Sequence, residues 1–393
     1  MRHLDGNSCI PTVSRKSAYR RTGNAALALA SALAAYLGAS VGAVAQSKPP
    51  IAKENMVLVA SVINTTNPYM ISNINGAKAL SKKLGIPLEI VNSEGSSQTE
   101  ISKIQAILAG GKTVIMFVNT VASSDAPTIV DAVKRAGGYV TIWWNNPTEH
   151  KPSDIGDNFV AFQKIPGVSS GRCGAKALGD ALHGKGNVVM LPGVQDSTTS
   201  KTRVAGFTAE MKEKYPGIKI LESRPSNWDP QLGNRNAKDL IVKYGDQING
   251  VWSADDGMQI GAMQAFENAG LLNKVKFASD GLYPETVADL KSGRGDHAIV
   301  GETFHRGYMA SAVGLYTAYL TATGEITPSK LPNEKRESLF ELSCVTPDNY
   351  QQYLKYDDPD APAGFVDSLI EKGPWDAPAM KLTGAGPEVL PSP

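Results

Sequence analysis

The side chains able to do chemistry fall just after short apolar runs. Asn64–Tyr69 follows the first run and Trp143–Asn146 the fourth. Further along come Lys201–Arg203, Asn227-Trp228-Asp229, Asp255-Asp256, Asp280 and Glu302. In open α/β sheets, ligands collect beyond the carboxyl ends of the strands, so these positions face one cleft. Carboxylates and amides take paired hydroxyls, while aromatic faces cover the C–H faces of a ring. The set suits a polyhydroxylated small molecule. Plainer roles exist for single members: Asp255-Asp256 can cap a helix, and Trp143 or Trp144 can sit in a core.

Motifs for other chemistry fail on context. Gly110-Gly111-Lys112-Thr113 resembles the end of a phosphate loop, but Ala106 holds the leading position. It also follows a helical pattern and precedes a strand, the reverse of what cradling a phosphate requires. Gly167-Val168-Ser169-Ser170-Gly171 fits G-x-S-x-G, yet Pro166 marks a helix start where a nucleophile elbow needs a strand. His150, His183, His297 and His305 lack metal-ligand spacing, and no G-x-G-x-x-G follows the first strand. The sequence therefore implies no enzyme, no metal and no cofactor.

The 393 residues carry 39 basic and 38 acidic side chains, a net charge of +1 that argues against nucleic acid as a partner. That balance is uneven along the sequence. Residues 1–24 hold five basic groups and Asp5, and Ala25–Ala45 is uncharged, ending in Ala43-Val44-Ala45. Basic, apolar, small-x-small is the order of a secretory signal peptide over residues 1–45, cleaved near Ala45 for export to the periplasm. Arg20-Arg21 hints at the twin-arginine route, although no hydrophobic residue follows as that signal requires. Without the leader's five basic groups and one acid, 348 residues of net charge −3 remain. They contain no second apolar run of ~18 residues, so the mature protein is expected to be soluble. Cys173 and Cys344 either pair in an oxidising compartment or stay as two buried thiols.

The mature sequence alternates β-branched runs with amphipathic stretches. Strands are expected at Met56–Val62, Leu88–Val91, Thr113–Val118 and Tyr139–Trp144, with helices between them. The runs are continuously apolar, as in parallel strands covered on both faces. After Gly156–Phe162 the pattern restarts. Strands are expected at Asn187–Leu191, Ile218–Ser223, Gly250–Ala254, Val275–Ser279 and His297–Gly301, then a long helix Gly307–Leu320 and a last strand Ser338–Val345. The fold class is α/β, with two doubly wound parallel-sheet units. The turn-rich end, with Asp357–Ala363 and Pro-Ser-Pro, reads as a surface wrap with a frayed tail.

Several motifs, taken in order, carry a resemblance. They are Ser61 to Asn67-Pro68-Tyr69, Arg203 to Phe207, Trp252 to Met258 with Gly261-Ala262, and Phe277 to Gly281. From about Met56 to Val345 the sequence resembles periplasmic sugar-binding proteins of the ribose-binding type, type I periplasmic binding proteins that serve ABC importers. The resemblance implies two lobes joined by three crossovers. Lobe 1 would span 54–161 plus 303–328, lobe 2 would span 162–302 plus 329–350, and 351–393 would form an extension. It implies ligand contacts from Asn67, Tyr69, Trp144, Asn145, Lys201, Arg203, Trp228, Asp255, Asp280 and Glu302. Trp228 stands at the family's stacking position and Asp280 at its pocket aspartate. Lys201 matches an arginine, Asp255 an asparagine and Glu302 a glutamine, while Trp144-Asn145 replaces Asp-Arg. The implied function is capture of a sugar or polyol by a monomer and delivery to an ABC importer permease. The alternative is presentation of the same closed lobes to a chemoreceptor or sensor kinase. An exported enzyme on this fold is the least supported reading.

Overall fold

Apolar strands covered on both faces need helices on both sides, and the sequence supplies them in alternation. The computed structural model describes residues 50–386 together with 388, 390 and 391. The leader expected over 1–45 lies outside the described residues. The first series is β1 (Met56–Val62), α1 (Pro68–Leu84), β2 (Leu88–Asn92), α2 (Ser97–Leu108), β3 (Thr113–Val118), α3 (Asp125–Arg135), β4 (Tyr139–Trp143), the single turn α4 (Pro152–Ile155) and β5 (Phe159–Lys164). The second series is α5 (Gly167–Ala181), β6 (Gly186–Leu191), α6 (Thr198–Lys214), β7 (Ile218–Ser223), α7 (Pro230–Tyr244), β8 (Gly250–Ser253), α8 (Asp256–Asn268), β9 (Lys276–Ala278), α9 (Pro284–Ser292), the short α10 (Arg294–His297) and β10 (Ile299–Phe304). The polypeptide then runs through α11 (Gly307–Ala322), α12 (Asn333–Arg336), β11 (Glu337–Phe340), β12 (Ser343–Val345), α13 (Ala361–Lys372), β13 (Asp376–Ala377) and β14 (Met380–Ala385).

Two sheets result. The first has the order β13-β14-β11-β5-β4-β3-β1-β2 and the second β12-β10-β9-β8-β6-β7. Strand alternation divides the side chains between layers. Val57 and Val59 of β1 join the core under α2 and α3, whereas Leu58, Ala60 and Val62 face α1 and α11. Gly85, at φ 70°, ends α1 in the left-handed conformation that glycine tolerates best. At Gly76 a Cβ would collide with the Tyr308 backbone, so glycine is what lets α1 and α11 approach. The strand ends are fixed by caps: Asn67, Ser197, Asp229 and Asp255 each accept a backbone N–H from the first turn of the helix they open. Such a cap contributes about 1 kcal/mol.

Four expectations need correction. β5 runs to Lys164, paired with β4 and β11, so the first crossover is Ile165-Pro166 and not a break after residue 161. The second falls at His305-Arg306, because β10 extends to Phe304 beside β9 and β12. The expected last strand is two strands: β11 joins the first sheet, parallel to β5, and β12 joins the second, antiparallel to β10. Residues 333–340 therefore belong with the first sheet and not with lobe 2. Nor is 351–386 merely a wrap. Its β14 pairs with β11, and its α13 packs on α1 and α11. The reason is α11, whose sixteen residues are all buried: a helix apolar on every side needs cover on every side.

Cys173 of α5 and Cys344 of β12 form a disulfide, Cα atoms 5.7 Å apart, pinning the returning strand to the second sheet. The bond lies within one lobe. Replacing both cysteines by serine should cost about 2–5 kcal/mol. Calorimetry should show a melting temperature lowered by several degrees, with ligand affinity unchanged.

Candidate functional site

The caps that fix the strand ends also aim side chains into one cavity between the two sheets. From the first lobe, Asn67 caps α1 and so sets Tyr69 in the first turn, facing the cavity. Trp144 follows β4 with φ 69°, a backbone conformation costly for a bulky residue, and its Nε1 donates to the Tyr69 hydroxyl (2.7 Å). Asn145 beside it donates to the Thr120 carbonyl (3.0 Å) and accepts from Ser197 Oγ (2.7 Å), across the cleft. Asn119, at the end of β3, donates to Met70 Sδ (3.6 Å), and both residues line the cavity.

From the second lobe, helical spacing puts Thr199 and Arg203 on one face of α6. The Arg203 guanidinium is buried. It donates to the Ala254 carbonyl (2.5 Å), lies 4.9 Å from the Trp144 ring centroid, and has Nε 3.9 Å from Asp280 Oδ2. Asp280 is held in turn by Ser170 Oγ and by Thr303 Oγ1 (2.7 Å). Burial pushes the Asp280 carboxyl up, and the neighbouring guanidinium opposes that. Gly167 and Gly171 of the apparent G-x-S-x-G motif are packing positions, where any side chain would strike Thr202 or Arg203 of α6. Trp228, at φ 62°, lays its ring against Gly193, where a Cβ would overlap the indole.

The lobes are closed on one another. Asn67 Nδ2 donates to Asp255 Oδ1 (3.0 Å) and to the Trp228 carbonyl (3.2 Å), and Thr199 Oγ1 donates to the Trp144 carbonyl (3.1 Å). Asp255 also accepts from the Tyr283 hydroxyl (2.7 Å). Burial pushes the Asp255 carboxyl up to about 6. His305, on the second crossover, packs its ring 5.0 Å from Tyr69 and 5.5 Å from Trp144. Burial, with Arg203 and Arg306 nearby, holds its pKa well below the usual range, so the imidazole is neutral.

Of the ten residues expected, Tyr69, Trp144, Asn145, Arg203, Trp228 and Asp255 line the cavity, and Asp280 lies directly behind Arg203. Asn67 is a latch between lobes, both ends of its amide being engaged. Lys201 is a correction. Two residues from Thr199 on a helix, it points outward, exposed and paired with Asp196 (3.3 Å). Glu302 is another. It turns away from the cavity, accepting from Gln259 (2.8 Å) and Ser279 (2.9 Å), and burial beside Asp256 pushes it up strongly, so it keeps its proton. The strand-end position expected of Glu302 falls to His305. Asn119, Thr199 and His305 were missed, although Asn119 directly follows a strand the sequence reveals and Thr199 stands four residues before Arg203. Among the described residues, no group of three or more His, Cys, Asp or Glu could hold a metal ion.

Four buried polar atoms at or beside this cavity have no hydrogen-bond partner: Arg203 Nε, Trp228 Nε1, Asn119 Oδ1 and Asp280 Oδ2. Buried polar groups are nearly always satisfied, so the open positions on Arg203, Trp228 and Asn119, three residues that line the cavity, mark a place for a polar ligand, while Asp280 Oδ2 lies 3.9 Å from Arg203 Nε.

Two α/β lobes closed over such a cavity define a two-lobed ligand-binding protein. Residues 58–319 match the family described as the periplasmic binding protein domain, and the chain belongs to that family. The xylitol-binding protein of Mycolicibacterium smegmatis is 25% identical over 296 residues, covering 75% of this chain and 78% of the relative. The ribose import binding protein of Salmonella typhimurium is 26% identical over 245 residues, covering 62% and 78%. A structure described as a twin-arginine translocation pathway signal protein from Burkholderia phytofirmans superposes with a TM-score of 0.76 at 28% identity, covering 85% of this chain and 99% of that one. The arabinose-transporter binding component from Shewanella sp. ANA-3 shares the fold, with a TM-score of 0.66 at 19% identity over 78% and 97% of the two proteins.

The raised Asp255 carboxyl gives a pH signature. Its folded pKa of about 6 exceeds the ordinary 3.8, so the fold favours the protonated form. Its contribution to stability is complete below 3.8 and is lost as pH rises through about 6. Melting temperatures of wild type and Asp255→Asn, compared from pH 3.5 to 7.5, should diverge across that window, with the wild type losing ground as pH rises. A constant difference would show that Asp255 does not titrate there.

Proposed function

We propose that this protein is an exported solute-binding protein. It captures a single monosaccharide or small polyol between its lobes and presents the closed form, as a monomer, to the permease of an ABC importer. The observation that carries this reading is that Arg203, Trp228 and Asn119, which line one cavity with Trp144, each keep a buried polar atom without a hydrogen-bond partner. Hydroxyls meet the polar atoms, and the C–H groups of the sugar ring or polyol skeleton meet the indoles. The electrostatics suit a hydroxylated ligand: Arg203 is countered by Asp280, His305 is uncharged, and Asp255, whose carboxyl is pushed up to about 6, is held by Asn67 and Tyr283. The relatives named for xylitol and ribose support the same ligand class.

Binding without turnover is the consistent reading. Ser170 Oγ is committed to Asp280, and His305 faces Trp144 and two tyrosines whose hydroxyls are engaged, Tyr69 by Trp144 Nε1 and Tyr283 by Asp255. The leader over residues 1–45 supplies export.

A thermal-shift screen of pentoses, hexoses, polyols and amino sugars should yield a compound that raises the melting temperature and changes tryptophan fluorescence. Trp228→Ala and Arg203→Met should each weaken that compound roughly 10- to 100-fold by calorimetry. Lys201→Ala should leave affinity within about twofold, as for an exposed group with a weak ion pair. Unchanged binding by Trp228→Ala would place the ligand elsewhere.

A further inference from the structure

Each of the three segments joining the lobes is two residues long: Ile165-Pro166, His305-Arg306 and Glu341-Leu342. The polypeptide beyond Val345 reaches all three. Asp357 Oδ1 accepts from Arg306 Nε (2.9 Å) and lies 2.8 Å from Arg306 Nη2, while Arg306 Nη1 donates to the Gly281 carbonyl (2.7 Å), next to Asp280. The Arg306 guanidinium covers the Phe304 ring at 4.8 Å, and Tyr353 and Tyr356 stack on the same ring at 4.7 and 4.8 Å. The Lys381 carbonyl accepts from Glu341 N–H (2.9 Å). Glu388 accepts from Val168 N–H (2.9 Å) in the first turn of α5 and pairs with Lys164 (2.8 Å), with both side chains of that pair more than nine-tenths buried.

The body of this segment belongs to the first lobe, through β14 on β11 and α13 on α1 and α11. Its contacts with Phe304, with Val168 and, through Arg306, with Gly281 belong to the second. It is therefore a tie between lobes that is separate from the crossovers themselves. Arg306 cannot turn with either lobe without leaving Asp357 or the Gly281 carbonyl. His305, its neighbour, lines the cavity.

We propose that residues 346–386, together with Glu388, form a strap that holds the lobes closed. Asp357 and Glu388 are positioning residues that fix the crossovers, and with them Asp280 and His305, so the strap sets how much ligand-free protein is closed. A ligand that requires the closed form then binds more tightly, because less of its binding energy is spent on closure. That last consequence rests on the function proposed above, whereas the strap's effect on closure does not.

The test compares wild type with Asp357→Asn/Glu388→Gln and with Asp357→Glu. Small-angle scattering of the ligand-free proteins should show a larger radius of gyration for the double variant, with Asp357→Glu returning toward wild type. Stopped-flow tryptophan fluorescence with D-ribose and with xylitol should show the bound probe leaving the double variant roughly tenfold faster or more. If the double variant does not fold, Asp357→Asn alone is measured in the same way. A lower melting temperature with an unchanged scattering profile would make the segment a passive brace and overturn the proposal. So would a ligand-free wild type already as extended as the variant. Failure of both probes to bind wild type counts against the ligand assignment, and scattering still decides the strap.

Discussion

A buried guanidinium organises the site. Arg203 sits in the cleft with little water, and an unpaired charge there would be prohibitive. Three features compensate it: the Ala254 carbonyl, the Asp280 carboxylate and the face of Trp144. Each makes its own demand on the fold. Asp280 needs Ser170 and Thr303, and Ser170 reaches it only because glycines let α5 and α6 pack closely. Trp144 belongs to the other lobe, so the cation is fully covered only when the cleft is shut.

The remaining buried acids are managed differently. Asp255 spends its oxygens on Asn67, Met258 N–H and Tyr283. Glu302 accepts from Gln259 and Ser279, and burial beside Asp256 pushes its carboxyl well above the ordinary range.

How much of this was legible in the sequence depends on the range of the interaction. β1, β3 and β7 fall on the residues expected, because continuous apolar runs and glycine stops are local signals. The strand-end rule pointed to Trp144, Arg203, Trp228 and Asp255, which line the cavity. It misled at Lys201, where two residues along a helix reverse the direction of a side chain. It also misled at Glu302, because β10 continues to Phe304 and leaves His305 at the end. The extension was misread because its pairing with β11 is non-local and its turn-rich start resembles a loose tail. A clue was present in α11, which is apolar on every face and implies a covering layer.

The order of strands has a consequence for how the protein matures. The first sheet includes β11 and β14 from the end of the sequence, and the second needs β12, locked by Cys344 to α5. Neither lobe is complete until β12 and β14 have been synthesised. A nascent molecule therefore carries two unfinished sheets with open edges, and it cannot fold one lobe at a time as tandem domains do. The disulfide encloses 171 residues of sequence separation, a covalent ring containing nearly the whole second lobe and α11 of the first. A single proteolytic nick inside that ring would leave both halves attached.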